Sequence, residues 1–239
     1  MNILKEFRIS DKCSYLPDKS QTTHYKVIDK CSTTYCEDLI ERGYRRFGKM
    51  YFRPICPTCD ECKSIKIDVE NFNFSSSQRR VMRKASKIKS YIQRPTISKE
   101  HLELFEKYHL YMSEKKGWEF APSSVQSYYN SFVDAHNNFG HEVLYFLDNK
   151  LIGVDLIDIL NDGVSSIYFY YDPDYAHLSL GRFSLYNQIA FAKKSKKRWV
   201  YLGYYVKECP SLVYKSHYKP YLMLQGRPTT DEDALWLTT

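Results

Sequence analysis

Three cysteines at two-residue spacing, Cys56-x-x-Cys59-x-x-Cys62, form the densest chemistry-bearing cluster in the sequence. Such spacers let successive sulfurs turn toward one centre, so the triplet could supply three thiolates to zinc or to an iron-sulfur cluster. Cys13 is the candidate for a fourth ligand, ahead of Cys31 and Cys36. The plainer alternative is a tight loop with free thiols, since no second CxxC pair completes a standard finger. A second feature is Ser179-Leu180-Gly181 at the start of a helical pattern, where glycine admits close backbone approach and free N–H groups favour an anion such as a phosphate. A third is the serine-capped stretch 75–89, which places Arg79, Arg83 and Lys87 in one helical row and Arg80 and Lys84 in the next. With few acids interspersed, that face suits a phosphate backbone better than a solvated surface. Lys193, Lys194, Lys196, Lys197 and Arg198 make another basic patch, which charges favourable at a helix C-terminus explain equally well. Tyr214, Lys215, Tyr218 and Lys219 alternate rings and cations, a pattern able to stack a terminal adenine and grip its phosphate, or simply half-buried tyrosines.

The remaining chemistry is defined by absence. The seven histidines form no close motif, and no G-x-S-x-G elbow, H-E-x-x-H pair or Walker loop occurs, which argues against common hydrolases and P-loop enzymes. A chain of 239 residues with 43% hydrophobic content can bury a sizeable core as one large domain or two small ones. No stretch approaches the roughly 20 apolar residues of a membrane span, and the amino terminus lacks a signal-peptide core, so a cytoplasmic protein is expected. The seven unevenly spaced cysteines then point to free thiols or a metal rather than disulfides. A net charge of +7, clustered as above, suggests a polyanionic partner, nucleic acid first.

Hydrophobic periodicity supplies the elements that must hold these residues. A β-branched and aromatic run over 167–171 reads as a strand that Asp172 and Pro173 stop. A helical pattern over 180–197 and a second apolar run over 199–205 follow, so a strand-helix-strand crossover places Gly181 at the carboxyl ends of the strands. Upstream, a strand over 23–27 precedes a helix over 32–42, and 50–53 and 65–69 are expected to pair as strands flanking the cysteine loop. Pro95, within 93–97, marks the expected domain boundary. After it come helices over 99–115 and from Ser123 or Ser124 to Asn137, then a meander over 142–147, 151–160 and 165–171 with Asp-Asn and Asn-Asp-Gly turns. The expected fold class is α+β: an amino-terminal α+β domain, residues 1–95, carrying the cysteine loop and basic helix, and a carboxyl-terminal domain, 96–239, whose element order is that of the acetyltransferase-like (GNAT, acyl-CoA N-acyltransferase-like) fold.

Several separate motifs in the right order then resemble one family over nearly the whole chain. They are Cys13-Ser-Tyr-Leu-Pro17, Gly43-Tyr-Arg-Arg46 with Gly48, Tyr51-Phe-Arg-Pro54 with the cysteine triplet, and Ser77-Gln-Arg-Arg80. Further on stand Tyr170-Tyr-Asp-Pro173, Ser179-Leu-Gly181, Tyr201-Leu-Gly-Tyr204, Cys209, Tyr214-Lys215 and Pro220. The set resembles the bacterial aspartate/glutamate leucyltransferases, relatives of the eukaryotic arginyl-tRNA protein transferases. Tyr44 and Tyr171 stand where phenylalanine is common, and Val213 where methionine is expected.

The resemblance implies that leucine moves from leucyl-tRNA to the α-amine of a protein whose first residue is Asp or Glu, marking it for N-end rule degradation. It implies no required cofactor, and leucine as donor rests on it alone. Phe183 stands where a CoA-binding loop would place its second glycine, which counts against CoA. Within that reading, Tyr170, Asp172 and Tyr204 are the catalytic candidates near the strand ends. Arg45, Arg46 and Arg53 are candidates for gripping the acidic side chain. The tRNA would meet Gln78, Arg79, Arg80, Arg83, Lys84, Lys87, Gly181, Arg182, Tyr214 and Lys215. The rival readings are an arginyl donor, a CoA-dependent N-acetyltransferase, and a tRNA-binding protein that transfers nothing.

Overall fold

A computed structural model describes residues 2–134, 136 and 138–238. The first part of the chain forms β1 (Asn2–Lys12), β2 (Ser20–Lys30), α1 (Thr33–Glu41), β3 (Arg45–Phe47), β4 (Met50–Pro54), β5 (Lys63–Asp68), α2 (Ser76–Lys84) and β6 (Lys89–Gln93). The second part forms α3 (Lys99–Lys116), α4 (Val125–Tyr128) continued by a π-turn to Val133, β7 (Gly140–Leu147), β8 (Lys150–Ile159) and β9 (Gly163–Tyr171). A 3-10 turn (Pro173–Leu178), α5 (Leu180–Lys194), β10 (Trp199–Tyr205), a second 3-10 turn (Val213–His217), β11 (Tyr221–Leu224) and β12 (Trp236–Thr238) complete it.

The strands make two sheets, a four-stranded β1-β2-β4-β3 and an eight-stranded β12-β11-β5-β10-β9-β8-β7-β6. In the larger sheet only β9 and β10 run parallel, because α5 returns the chain across one face between them. Phe183, Ile189 and Ala192 of α5 pack on that face against Ile65, Ile67, Val143 and Ile152. Leu104, Phe105, Tyr108 and Met112 of α3 pack on the other face against Val154, Leu156 and Tyr170. Strand β8 is therefore buried along almost its whole length, as a strand covered on both faces must be.

Two expectations are corrected. Residues 50–53 and 65–69 do not pair: β4 lies between β2 and β3, while β5 inserts between β10 and β11 of the larger sheet. The cysteine loop thus carries the chain from one sheet to the other, and β5 is almost fully buried where β4 is only partly so. The basic helix is also shorter than 75–89. It ends at Lys84, and Lys89–Gln93 becomes β6 because pairing with β7 outweighs helical propensity there. The eight-stranded sheet takes β5 and β6 from before residue 95 and the rest from after it, so strand pairing runs across the division proposed from Pro95. The expected end of the helix after Ser124 at Asn137 lies outside the described residues.

Candidate active site

The parallel ladder between β9 and β10 is short. It joins Gly163, Val164 and Ser165 to Trp199, Val200 and Tyr201, and then stops. Beyond it β9 shifts register against β8 near Ile157, and β10 shifts against β5 between Tyr201 and Gly203, where Gly203 takes φ +73°. Bulges bend strands, so the two part and leave main-chain carbonyls without ladder partners. Arg45 fills the gap. Its Nη2 donates to the Ile167 carbonyl at 2.8 Å and lies 3.3 Å from that of Ser166. Its guanidinium lies over Gly203 so closely that a Cβ there would stand 2.5 to 2.7 Å from Nε, Cδ and Cζ. Glycine at 203 thus satisfies both the positive φ and the arginine.

Next to the carboxyl ends of these strands opens a cleft of about 860 Å³. One wall is the start of α5, where Ser179 sits at φ +58° and caps nothing with its side chain. The Arg182 and Phe183 N–H groups return to the Ser179 carbonyl, while those of Leu180 and Gly181 take no partner among the described residues. A Cβ on Gly181 would meet nothing within 4 Å, so the space beside it is the cleft itself. The opposite wall is the first turn of α2, and Tyr171, Tyr186, Tyr214 and Tyr218 supply ring faces between. A helix N-terminus with open N–H groups beside aromatic rings has the chemistry to hold a phosphate and a stacked base.

The structure sorts the candidate residues. Gln78, Gly181, Arg182 and Tyr214 line this cleft together. Gln78 also closes a capping box with Ser75, its Oε1 accepting from the Ser75 N–H at 2.8 Å. Arg79, Arg80, Arg83, Lys84 and Lys87 are exposed, while Val81, Met82 and Ile88 pack inward, so α2 docks by one side and presents charge on the other. Lys84 Nζ donates to the His177 carbonyl at 2.6 Å, and Arg79 to that of Phe74, tying two of these cations to the fold. Lys215 departs from expectation. It is buried and its Nζ donates to the Tyr204 carbonyl at 2.7 Å, away from the cleft walls.

The three catalytic candidates are likewise engaged inside the fold. Tyr170 is fully buried beneath α3, with its hydroxyl 2.6 Å from that of Tyr128. The Tyr204 hydroxyl lies 3.1 and 3.0 Å from the Gly43 and Phe52 carbonyls and so ties the smaller sheet to the larger. Burial pushes both phenols well up, which keeps them protonated and unfit as bases. Asp172 faces a separate pocket of about 480 Å³ beside α3. Burial would raise its carboxyl, but hydrogen bonds from Lys107 at 2.5 Å and Lys150 at 2.8 Å outweigh that and hold it below the usual carboxylate range. A carboxylate held by two ammonium groups is a weak proton acceptor. It also caps the 3-10 turn at the Asp174 N–H.

Of the three arginines, Arg46 is spent in a buried fork on Asp158, with Nε 2.7 Å from Oδ2 and Nη1 donating to the Gly48 carbonyl at 2.9 Å. Arg53 Nη1 donates to the Arg42 and Pro228 carbonyls at 2.9 and 2.8 Å, and its guanidinium covers the Tyr44 ring at 4.6 Å. Arg45 alone of the three stands in the strand gap, half-buried, with no recorded partner for Nε and Nη1 among the described residues. Its charge offsets part of the burial effect on the Tyr15, Tyr204 and Tyr214 phenols, and its guanidinium carbon lies 5.9 Å from the centre of the Tyr204 ring.

The thiols gather around the loop. Burial and the nearby Cys13, Cys56 and Cys59 push the Cys62 thiol up to about 12. Cys13, Cys59 and Cys62 pack with Leu16, Val206 and Cys209, whereas Cys56 Sγ faces the main chain of Thr22. Metal ligation needs thiolates converging on one point. Among the described residues no three His, Cys, Asp or Glu groups converge in that way, so the quartet Cys13, Cys56, Cys59 and Cys62 does not fit a metal as folded here. Lys107 and Cys209 were not expected at these positions. The partner of Lys107 lies 65 residues along the chain, and nothing local signals it.

Comparison with known proteins fits this arrangement to a family. The pattern described as "Arginine-tRNA-protein transferase, N terminus" matches residues 11–80, and that described as "Arginine-tRNA-protein transferase, C terminus" matches 100–225. The chain is 48% identical over 229 residues to "Aspartate/glutamate leucyltransferase" of Campylobacter jejuni (strain 81-176), covering 95% of this chain and 96% of that one. It is 38% identical over 236 residues to the protein of the same name from Helicobacter hepaticus, covering 99% and 98%. Among solved structures, FemX overlays with a TM-score of 0.48 at 9% identity, over 98% of this chain and 82% of that one. With both halves matched and relatives aligned almost end to end, the chain belongs to the arginine-tRNA-protein transferase family.

Proposed function

We propose that this enzyme transfers leucine from leucyl-tRNA to the α-amine of proteins beginning with Asp or Glu, which marks them for degradation by the N-end rule. The observation that carries the reading is the placement of two sites along the parting strands: the Gly181 cleft, suited to the tRNA terminus, beside their carboxyl ends, and the Arg45 gap, suited to an acidic side chain, between them. The order α3, α4, β7 to β9, α5, β10 supports a GNAT-like carboxyl-terminal half, in which acyl donor and amine acceptor meet where the two parallel strands part.

The aminoacyl ester is already activated, so no cofactor enters the reaction and alignment with a deprotonated amine is the main task. The unpartnered N–H groups of Leu180 and Gly181 and the tyrosine faces would hold the donor's terminal nucleotides, and the exposed cations of α2 its backbone phosphates. Arg45 would grip the acceptor carboxylate through Nη1 while keeping Nη2 on β9. The 860 Å³ cleft has no acidic residue in its lining, which favours leucine over arginine as donor, since a guanidinium would call for a carboxylate. No helix among the described residues is long and apolar enough to cross a membrane; a cytoplasmic location is part of the proposal.

The test is transfer of labelled leucine and, separately, arginine from charged tRNA to peptides beginning with Asp, Glu, Lys or Ala. Leucine on Asp and Glu peptides alone is the expected result. Arginine on the same peptides would change the donor and keep the family, and no transfer from either would refute the proposal.

A further inference from the structure

One face of the smaller sheet carries a row of rings that the core does not take in. Tyr25 of β2 stands opposite Phe7 of β1 and Phe52 of β4, and Phe52 stands opposite Arg45 of β3. Directly paired residues share a face, so Phe7, Tyr25, Phe52 and Arg45 form one row across all four strands. The Phe7 and Tyr25 rings lie 5.1 Å apart at 13°, and Phe52 lies 6.2 Å from Tyr25. The alternate residues Ile28 and Tyr51 point to the other face, where they are buried with Cys36, Leu39 and Ile40 of α1. The row itself is half-buried, and among the described residues its three rings join none of the buried clusters. Met50 and Ile9, two residues along β4 and β1 on the same face, are 37% and 48% exposed. Contiguous apolar surface of this kind marks an interaction site.

We propose that this row is the docking surface for the acceptor protein's chain, and that it takes apolar side chains from the residues following the first Asp or Glu. The inference rests on the aminoacyl-transfer reading above and deepens its acceptor side. Continuity carries it. The row begins at Arg45, whose guanidinium enters the strand gap, and the Tyr204 ring that Arg45 approaches at 5.9 Å donates its hydroxyl to the Phe52 carbonyl at 3.0 Å. Charge follows the same order, with a cation where the acidic residue is held and rings beyond it. Strands lie about 4.8 Å apart, so the steps from β3 to β1 span about 14 Å, the length of about four extended residues. An acceptor anchored at Arg45 therefore lays that much of its chain across Phe52, Tyr25 and Phe7. The ring geometry favours a peptide over a nucleic acid. Parallel rings only 5.1 Å apart are too close to lie flat side by side, so Phe7 and Tyr25 stand on the sheet, overlap faces and turn their edges outward. Lys5 Nζ also lies over the Phe7 ring at 4.9 Å. Bases stack on open faces, whereas ring edges suit aliphatic and aromatic side chains.

The full-length enzyme, with saturating leucyl-tRNA, would be given peptides beginning Asp-Leu-Val-Phe or Asp-Ser-Gly-Ser. The apolar peptide is expected to have a KM about tenfold or more lower, from the burial of its side chains on the row. In a Phe7→Ser, Tyr25→Ser double variant the two KM values should fall within about twofold of each other, with leucyl-tRNA affinity unchanged. Equal KM values in the wild type, or a double variant that keeps the full preference, would overturn the proposal. So would a double variant whose leucyl-tRNA affinity falls while its peptide preference stays, since the face would then serve RNA. If the variant does not fold, photo-crosslinking of the wild type with an Asp-peptide carrying benzoylphenylalanine at its third position decides. Adducts within β1, β2 or β4 are expected, and adducts only elsewhere overturn the proposal. Leucine transfer to neither peptide would sink the transfer reading itself, and the crosslink, which needs no transfer, then decides the docking surface alone.

Discussion

Replacing Asp155 by asparagine should stabilise the protein at alkaline pH and have little effect near pH 4. Asp155 lies on β8, wholly buried, and its Oδ2 accepts from Ser184 Oγ at 2.7 Å and Gln188 Nε2 at 2.8 Å, both on α5. Its Oδ1 is buried without a partner, and so is Oε1 of the same Gln188 amide. Both are acceptors when the acid is ionised, whereas one proton on Oδ1 makes it a donor that the orphaned amide oxygen can accept. Burial pushes the carboxyl up to about 7, against about 3.9 in an unfolded chain. The folded state therefore binds more protons between those values, so this contribution to stability is full below about pH 4 and is lost as pH rises to about 7. Three units at 1.36 kcal/mol each come to about 4 kcal/mol lost by pH 8. Asparagine is neutral throughout and can donate to Gln188 while accepting from it. Urea denaturation of both proteins at pH 5, 6, 7 and 8.5 measures the difference, and taking the difference cancels titrations common to both. The expected course is an advantage for the variant of about 1.5 kcal/mol at pH 5 that grows to about 4 kcal/mol at pH 8.5. A difference that does not change with pH would refute the reasoning.

Three further outcomes follow from the site. Arg45→Gln should raise KM for Asp and Glu peptides at least tenfold, the worth of one charge-assisted hydrogen bond of about 1.5 to 3 kcal/mol, with leucyl-tRNA affinity unchanged; retained discrimination against Ala peptides would remove Arg45 from acceptor binding. Arg46→Met should cost about 3 to 5 kcal/mol by stranding Asp158 in the core, and the Arg46→Met, Asp158→Leu double variant should recover most of it in the same urea assay. If Arg46→Met alone were neutral, the buried pair would not matter as argued. Gly181→Leu meets no protein atom within 4 Å at its Cβ and has no positive φ to strain, so its melting temperature should stay within a few degrees. Filling the cleft should nevertheless raise KM for charged tRNA, and an unchanged KM would place the tRNA terminus elsewhere.

What the chain alone determined is local or linear. The run of β9, the helix α5 and the run of β10 were legible because period-2 and period-3.6 patterns are written in neighbouring residues, and Ser75 and Gln78 announce their capping box at a spacing of three. Family membership was legible for a related reason, since ordered motifs survive as linear text. Tertiary structure alone decided which of the motif residues face a ligand. Arg45 and Arg46 are neighbours in sequence, yet one stands in the strand gap and the other is locked on Asp158, 112 residues away. Asp172 acquired two lysines and Lys215 lost its route to the cleft through contacts that no local pattern encodes. Strand β5 left β4 for the larger sheet because its near-continuous burial requires neighbours on both faces, and these come from the far end of the chain. Side-chain alternation along a strand is set by its own residues, but pairing, burial and charge balance depend on what the fold brings alongside, so side-chain roles were decided there.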